Sequence, residues 1–79
     1  MYFVYILQSS KDSSYYIGHA QDLNIRLKRH NDGRVRSTKR KRPWKIIYTQ
    51  SFHTKQEAYR QERRVKSYKG GVAFKKLIK

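Results

Sequence analysis

No cysteine occurs in the 79 residues, so the chain has no disulfide framework and no thiolate with which to build a zinc site. Long apolar runs are missing too. The opening stretch from Met1 to Leu7 is hydrophobic but gives way at Gln8, too short to cross a bilayer and without the form of a signal peptide. No long basic amphipathic helix with a strong apolar face is legible, which argues against a membrane surface as partner. A cytoplasmic address is the expectation. Acidic residues are scarce: five Asp and Glu stand against 20 Lys and Arg, a formal net charge of +15. That excess destabilises any compact state by self-repulsion, and a polyanion relieves it. Nucleic acid is the partner such charge calls for, through phosphate neutralisation and counterion release.

What the chain does have is enough for one small domain spanning 1–79. Only 37% of its residues are hydrophobic, and seven tyrosines and one tryptophan supply bulk to a lean core. Tyr2 to Gln8 is rich in β-branched and aromatic residues and reads as a strand. The polar turn Ser9 to Ser14 leads into a second strand, Tyr15 to Gly18, closing a hairpin. Asp22 is placed to cap a helix running to His30 or Asn31, stopped by Asn31-Asp32-Gly33. Trp44 to Phe52 reads as a third strand. Thr54 with Glu57 forms a capping-box pattern opening a helix to about Tyr68, and Val72 to Ile78 reads as a short last helix. The expected fold is α+β, a small, mainly antiparallel three-stranded sheet flanked by helices in the order β-β-α-β-α-α.

Both long helices aim charge toward the core. Leu23, Leu27 and His30 mark the apolar stripe of the first, with Arg26 on or beside it. On the second, Glu62 sits between Ala58 and Val65. Burying an unpaired charge costs several kcal/mol, so Arg26 and Glu62 need partners or water. Two readings stay open: an interhelical salt bridge or outward-snorkelling side chains, and a cleft where both helices present charge beside the sheet. Tyr16, in the second strand, favours the cleft. A phenol, a guanidinium, an imidazole and a carboxylate together suit phosphoryl transfer.

Tyr5, the Tyr16-Ile17-Gly18 triplet, Arg26 ten residues after Tyr16, and Glu62 within "EAYRQERRVK" together resemble the GIY-YIG nuclease superfamily, and most of all its small stand-alone bacterial group. The resemblance covers nearly the whole chain. Of the first triplet only the tyrosine of "GIY" survives here, in Phe3-Val4-Tyr5; His19 stands where some relatives carry lysine, and the late asparagine of several relatives has no clear counterpart after Glu62. The resemblance implies a metal-dependent phosphodiesterase. Glu62 would hold one divalent cation, Mg²⁺ or in its place Mn²⁺, with water and phosphate completing the shell. Tyr16 would act as general base toward water, or position it. A free phenol titrates near about 10, so the base role needs nearby cationic charge. Arg26 would supply that charge and stabilise the developing phosphate charge. Tyr5, His19 and His30 would assist by hydrogen bonding or proton relay, with a purely structural His30 and a Tyr5 that only packs as the plainer readings. Gly18 would let the backbone turn or approach a phosphate.

The segment 34–43 with its flank carries Arg34, Arg36, Lys39, Arg40, Lys41, Arg42 and Lys45. It reads as a basic loop that contacts nucleic-acid phosphates, with little apolar surface to pin it and hence mobile. No recognition helix, zinc finger or second binding domain is legible, so sequence-specific reading is not expected. Three functions compete. The first is a Mg²⁺-dependent endonuclease of low sequence specificity, selective for branched or damaged DNA in repair or recombination, nucleoid-associated or guided by a protein partner. The second is a non-catalytic nucleic-acid-binding module that keeps the nuclease fold. The third is a small basic component of a ribonucleoprotein.

Overall fold

The computed structural model describes residues 1–78. The elements are β1 (Tyr2–Ser9), β2 (Tyr15–Ala20), α1 (Leu23–Asn31), a 3₁₀ turn (Lys39–Lys41), β3 (Trp44–Phe52), α2 (Lys55–Ser67) and α3 (Val72–Leu77). β1 is the central strand of an antiparallel sheet ordered β2-β1-β3. This is the expected α+β fold in the expected order. Among the described residues no helix is long and apolar enough to cross a membrane.

The pleat sorts β1 onto two faces. Tyr5 and Leu7 pack with Ala20 and Trp44, against Leu23 and Leu27 of α1. Ile6 packs with Val65 of α2 and Phe74 of α3, joined by Ile17, Ile47 and Tyr48. The sheet is thus covered by α1 on one face and by α2 and α3 on the other. Its central strand is buried on both, which is why Val4 to Leu7 reads as an unbroken apolar run.

Local signals set the helix starts. The Asp22 side chain accepts from the Ile25 amide at 3.0 Å, and Thr54 and Glu57 form the reciprocal capping box. Two expectations are corrected. β2 runs through Gly18 to Ala20, because Gly18, His19 and Ala20 pair with Tyr5, Val4 and Phe3. The basic segment is pinned, by polar rather than apolar contacts. Thr38 is buried within it, the Trp44 indole N–H donates to the Thr38 carbonyl at 2.9 Å, and the Ser9 hydroxyl donates to the Lys41 carbonyl.

Candidate active site

The inward positions of α2 are those that the 3.6-residue period marks: Ala58, Glu62 and Val65 are all buried, with Glu62 at 8% exposure. Its carboxylate is fully engaged. One oxygen pairs with His19 Nδ1 and the other accepts from Lys66 Nζ at 2.6 Å. Burial pushes the Glu62 carboxyl up, but the His19 and Lys66 contacts outweigh it, so it titrates below the ordinary glutamate range. The interhelical Arg26–Glu62 salt bridge does not form among the described residues; the partners are His19 from β2 and Lys66 one turn along the helix. Lys66 was legible as an i,i+4 partner of Glu62.

His19 and Tyr16 lie three residues apart on β2, so their side chains leave opposite faces of the sheet. His19 points to α2. Tyr16 joins the cluster under α1, its ring centroid 4.8 Å from His30, 6.3 Å from Tyr5 and 6.4 Å from Trp44. Arg26 of α1 and His19 are brought together at the edge strand. They line one cleft of about 240 Å³ with Tyr2, Gln21 and Lys55, while neither Tyr16 nor Glu62 lines that cleft. Burial pushes the Tyr5 phenol up, nearby Tyr16 and Glu62 push the same way, and Arg26 opposes them.

Gly18 leaves room for that phenol. It stands opposite Tyr5 in the β1–β2 register, and a Cβ there would lie 2.6 Å from the Tyr5 hydroxyl oxygen. The phenol crosses β2 only because the glycine has no side chain.

Beyond Tyr5 lies a hydrogen-bonded chain whose direction can be assigned. His30 is wholly buried, with Nε2 3.1 Å from the Tyr5 hydroxyl and Nδ1 2.7 Å from Thr38 Oγ1. The Thr38 hydroxyl donates to the Val35 carbonyl at 3.3 Å, so toward His30 its oxygen accepts. Nδ1 then carries the proton and Nε2 accepts from Tyr5. Burial, aided by Arg26, lowers the His30 pKa and keeps the ring neutral. In that arrangement Tyr5 donates to His30, and burial keeps its phenol protonated. No hydrogen bond joins the Tyr16 hydroxyl to another side chain among the described residues, which leaves it free for water or substrate. Thr38 had no signal in the sequence; it stands inside a charge run that reads as solvated.

The basic residues do not gather at one point. Lys39, Arg40 and Arg42 line a concavity with Lys11, whereas Arg34 lines another with Lys28 and Arg29. Arg36, Lys41 and Lys45 are exposed.

The chain matches the model of a family described as the GIY-YIG catalytic domain over residues 1–74. It is 41% identical over 68 residues to the UPF0213 proteins of Staphylococcus aureus strains Mu3 and N315, which covers 85% of this chain and 82% of each relative. The solution NMR structure of the UPF0213 protein BH0048 from Bacillus halodurans matches with a TM-score of 0.50 and 34% identity, covering 92% of this chain and 90% of that one.

Proposed function

The chain belongs to the GIY-YIG catalytic-domain family, a nuclease-type family, and on that basis we propose that it is a divalent-metal-dependent endonuclease acting on DNA with low sequence specificity. The observation that carries this reading is the cleft that Arg26 and His19 line together, with the Glu62 carboxylate held behind it by His19.

The donor set fits a hard cation. Among the described residues no cluster of three or more His, Cys, Asp or Glu exists to enclose a metal, whereas Glu62 offers one ionised carboxylate beside an open cleft. Mg²⁺ or Mn²⁺ bound through one carboxylate, with water and phosphate completing the shell, suits that arrangement. Lys66 is exposed along most of its length and can swing off Glu62 to make room. When bound, the cation supplies charge neutralisation at the phosphate and a lowered pKa for water.

The chain's own groups divide the remaining work. Tyr16 orients the attacking water as a phenol, or, having lost its own proton to solvent, receives the water's proton as a phenolate. Arg26 lines the cleft and meets the charge that develops on the phosphoryl oxygens. His19 holds the Glu62 carboxylate in place. Tyr5, bonded to His30, supports the site from the buried side of β2. Among the described residues no recognition helix stands out, and the reading assigns specificity to DNA shape or to a protein partner, with branched or damaged DNA in repair or recombination as the substrate class.

A plasmid and branched-DNA cleavage assay with Mg²⁺, Mn²⁺ and chelator tests this reading, using Glu62→Gln, Arg26→Ala and Tyr16→Phe. Metal-dependent cutting by the wild type that each variant reduces at least about a hundredfold supports it. No cutting by the wild type, or cutting that the variants leave intact, overturns it. One observation favours the rival, a non-catalytic nucleic-acid-binding module: both Glu62 oxygens are already satisfied by His19 and Lys66. Mn²⁺ that fails to bind the wild-type protein would decide for that rival.

A further inference from the structure

We propose that Lys11, Lys39, Arg40 and Arg42 form a second phosphate-backbone site at the far end of the sheet from the cleft, gripping duplex DNA about six base pairs from the bond held there. The inference rests on the nucleic-acid reading above but not on catalysis.

The four cations come from two separate segments, the β1–β2 turn and the 3₁₀ turn with its exit, and line a concavity of about 400 Å³. Among the described residues no carboxylate contributes to the lining. The neighbouring Asp12 pairs instead with Lys41 at 3.6 Å. None of the four residues lines the cleft that holds His19 and Arg26.

The scaffold beneath them is built. Lys11 Nζ donates to the Arg40 carbonyl at 3.2 Å, the Ser10 amide donates to the Pro43 carbonyl at 2.9 Å, and the Ser9 hydroxyl holds the Lys41 carbonyl. Holding like charges together in this way raises their mutual repulsion, which a phosphate backbone removes. A freely moving charge run would spread apart instead.

β1 fixes the distance. The cleft lies at its first residues, where Tyr2 lines the wall and Val4 stands opposite His19. Ser9 closes the strand, and Lys11 follows in the turn. At about 3.3 Å per residue, Val4 to Ser9 spans about 17 Å and Tyr2 to Ser9 about 23 Å. At 3.4 Å of axial rise per base pair, the middle of that range, about 20 Å, corresponds to about six base pairs. A stem shorter than this cannot occupy both sites.

The test uses the Glu62→Gln protein, so that binding is read without cutting, and DNA hairpins whose stems run from about 4 to about 12 base pairs. Anisotropy titrations at several salt concentrations are expected to show affinity rising more than about tenfold once the stem passes about six base pairs, beyond the gain from extra register positions. Combining Lys11→Ala, Arg40→Ala and Arg42→Ala is expected to remove that step and to reduce the log–log salt slope by about 3. The single reversal Lys11→Glu, in an exposed turn, is expected to remove the step by itself. A step and slope that survive in both variants overturn the proposal. A wild type that never cuts DNA while the step persists overturns the nuclease reading and leaves this one standing.

Discussion

Thr38 Oγ1 lies 2.7 Å from Nδ1 of His30, whose Nε2 lies 3.1 Å from the Tyr5 hydroxyl, so that ring links the basic segment to the buried phenol. Thr38→Val keeps the shape but removes the acceptor, leaving a buried N–H unpaired. The expected cost is about 1–3 kcal/mol of stability. A structural defect alone would stop there. Here the His30 tautomer is also expected to shift toward Nε2–H, which histidine ¹⁵N chemical shifts would read, and Thr38→Ser should restore the Nδ1–H form. An unchanged tautomer in Thr38→Val would remove Thr38 from the chain.

Gly18→Ala tests the crossing of β2 by the Tyr5 side chain. The added methyl would stand 2.6 Å from the hydroxyl oxygen and 2.8 Å from the Tyr5 ring carbon that bears it, with Tyr16 Cε2 at 3.2 Å. Tyr5 has little freedom to yield, since it is buried and bonded to His30. Overpacking of this kind costs about 1–3 kcal/mol, and the variant should lose the Tyr5–His30 bond as well. Thermal unfolding measures the first effect, and the tyrosine and histidine NMR signals report the second. A variant as stable as the wild type with unmoved Tyr5 signals would mean that the strand accommodates the methyl elsewhere.

These two residues also mark the limits of reading the chain. The strand and helix order was legible because local signals agreed with the tertiary outcome: an apolar run for the central strand, an N-cap at Asp22 and a capping box at Thr54. Glu62 was legible as an inward charge because helical periodicity places it between Ala58 and Val65. Its partners were less so. A three-residue offset on β2 puts His19 and Tyr16 on opposite faces, but only the strand order shows that β2 is an edge at which His19 and Arg26 can meet. Thr38 and Lys11 were invisible as site residues, because their roles depend on contacts with residues distant in the chain.

Acid is expected to weaken the fold through His30. The ring faces Tyr5, Tyr16 and Thr38, with Arg26 near enough to oppose its protonation, and burial lowers its pKa below the ordinary histidine value. In the pH range between the folded and unfolded pKa values the unfolded chain therefore binds more protons. The stabilisation is fully present above about pH 6.5 and is lost progressively as pH falls toward the folded-state value. Melting temperatures measured from pH 8 downward should decline in this window, and His30→Gln should flatten the decline. An NMR titration that finds His30 protonating above pH 6.5 would reverse the sign and refute the assignment of a neutral ring.

Lys66 separates the pairing seen at Glu62 from the metal binding proposed there. Its side chain is 54% exposed, so its ion pair contributes at most about 1 kcal/mol to stability. Yet it occupies one carboxylate oxygen at 2.6 Å, the position a cation must take. Lys66→Ala should leave the melting temperature close to that of the wild type, and it should tighten Mn²⁺ binding several-fold, because the competing charge is gone. Glu62→Gln should abolish that binding in either background. Electron paramagnetic resonance of free Mn²⁺ during titration measures both. Weaker Mn²⁺ binding in Lys66→Ala would make the lysine a supporting group of the metal site rather than its rival. Binding that survives Glu62→Gln would place the cation elsewhere.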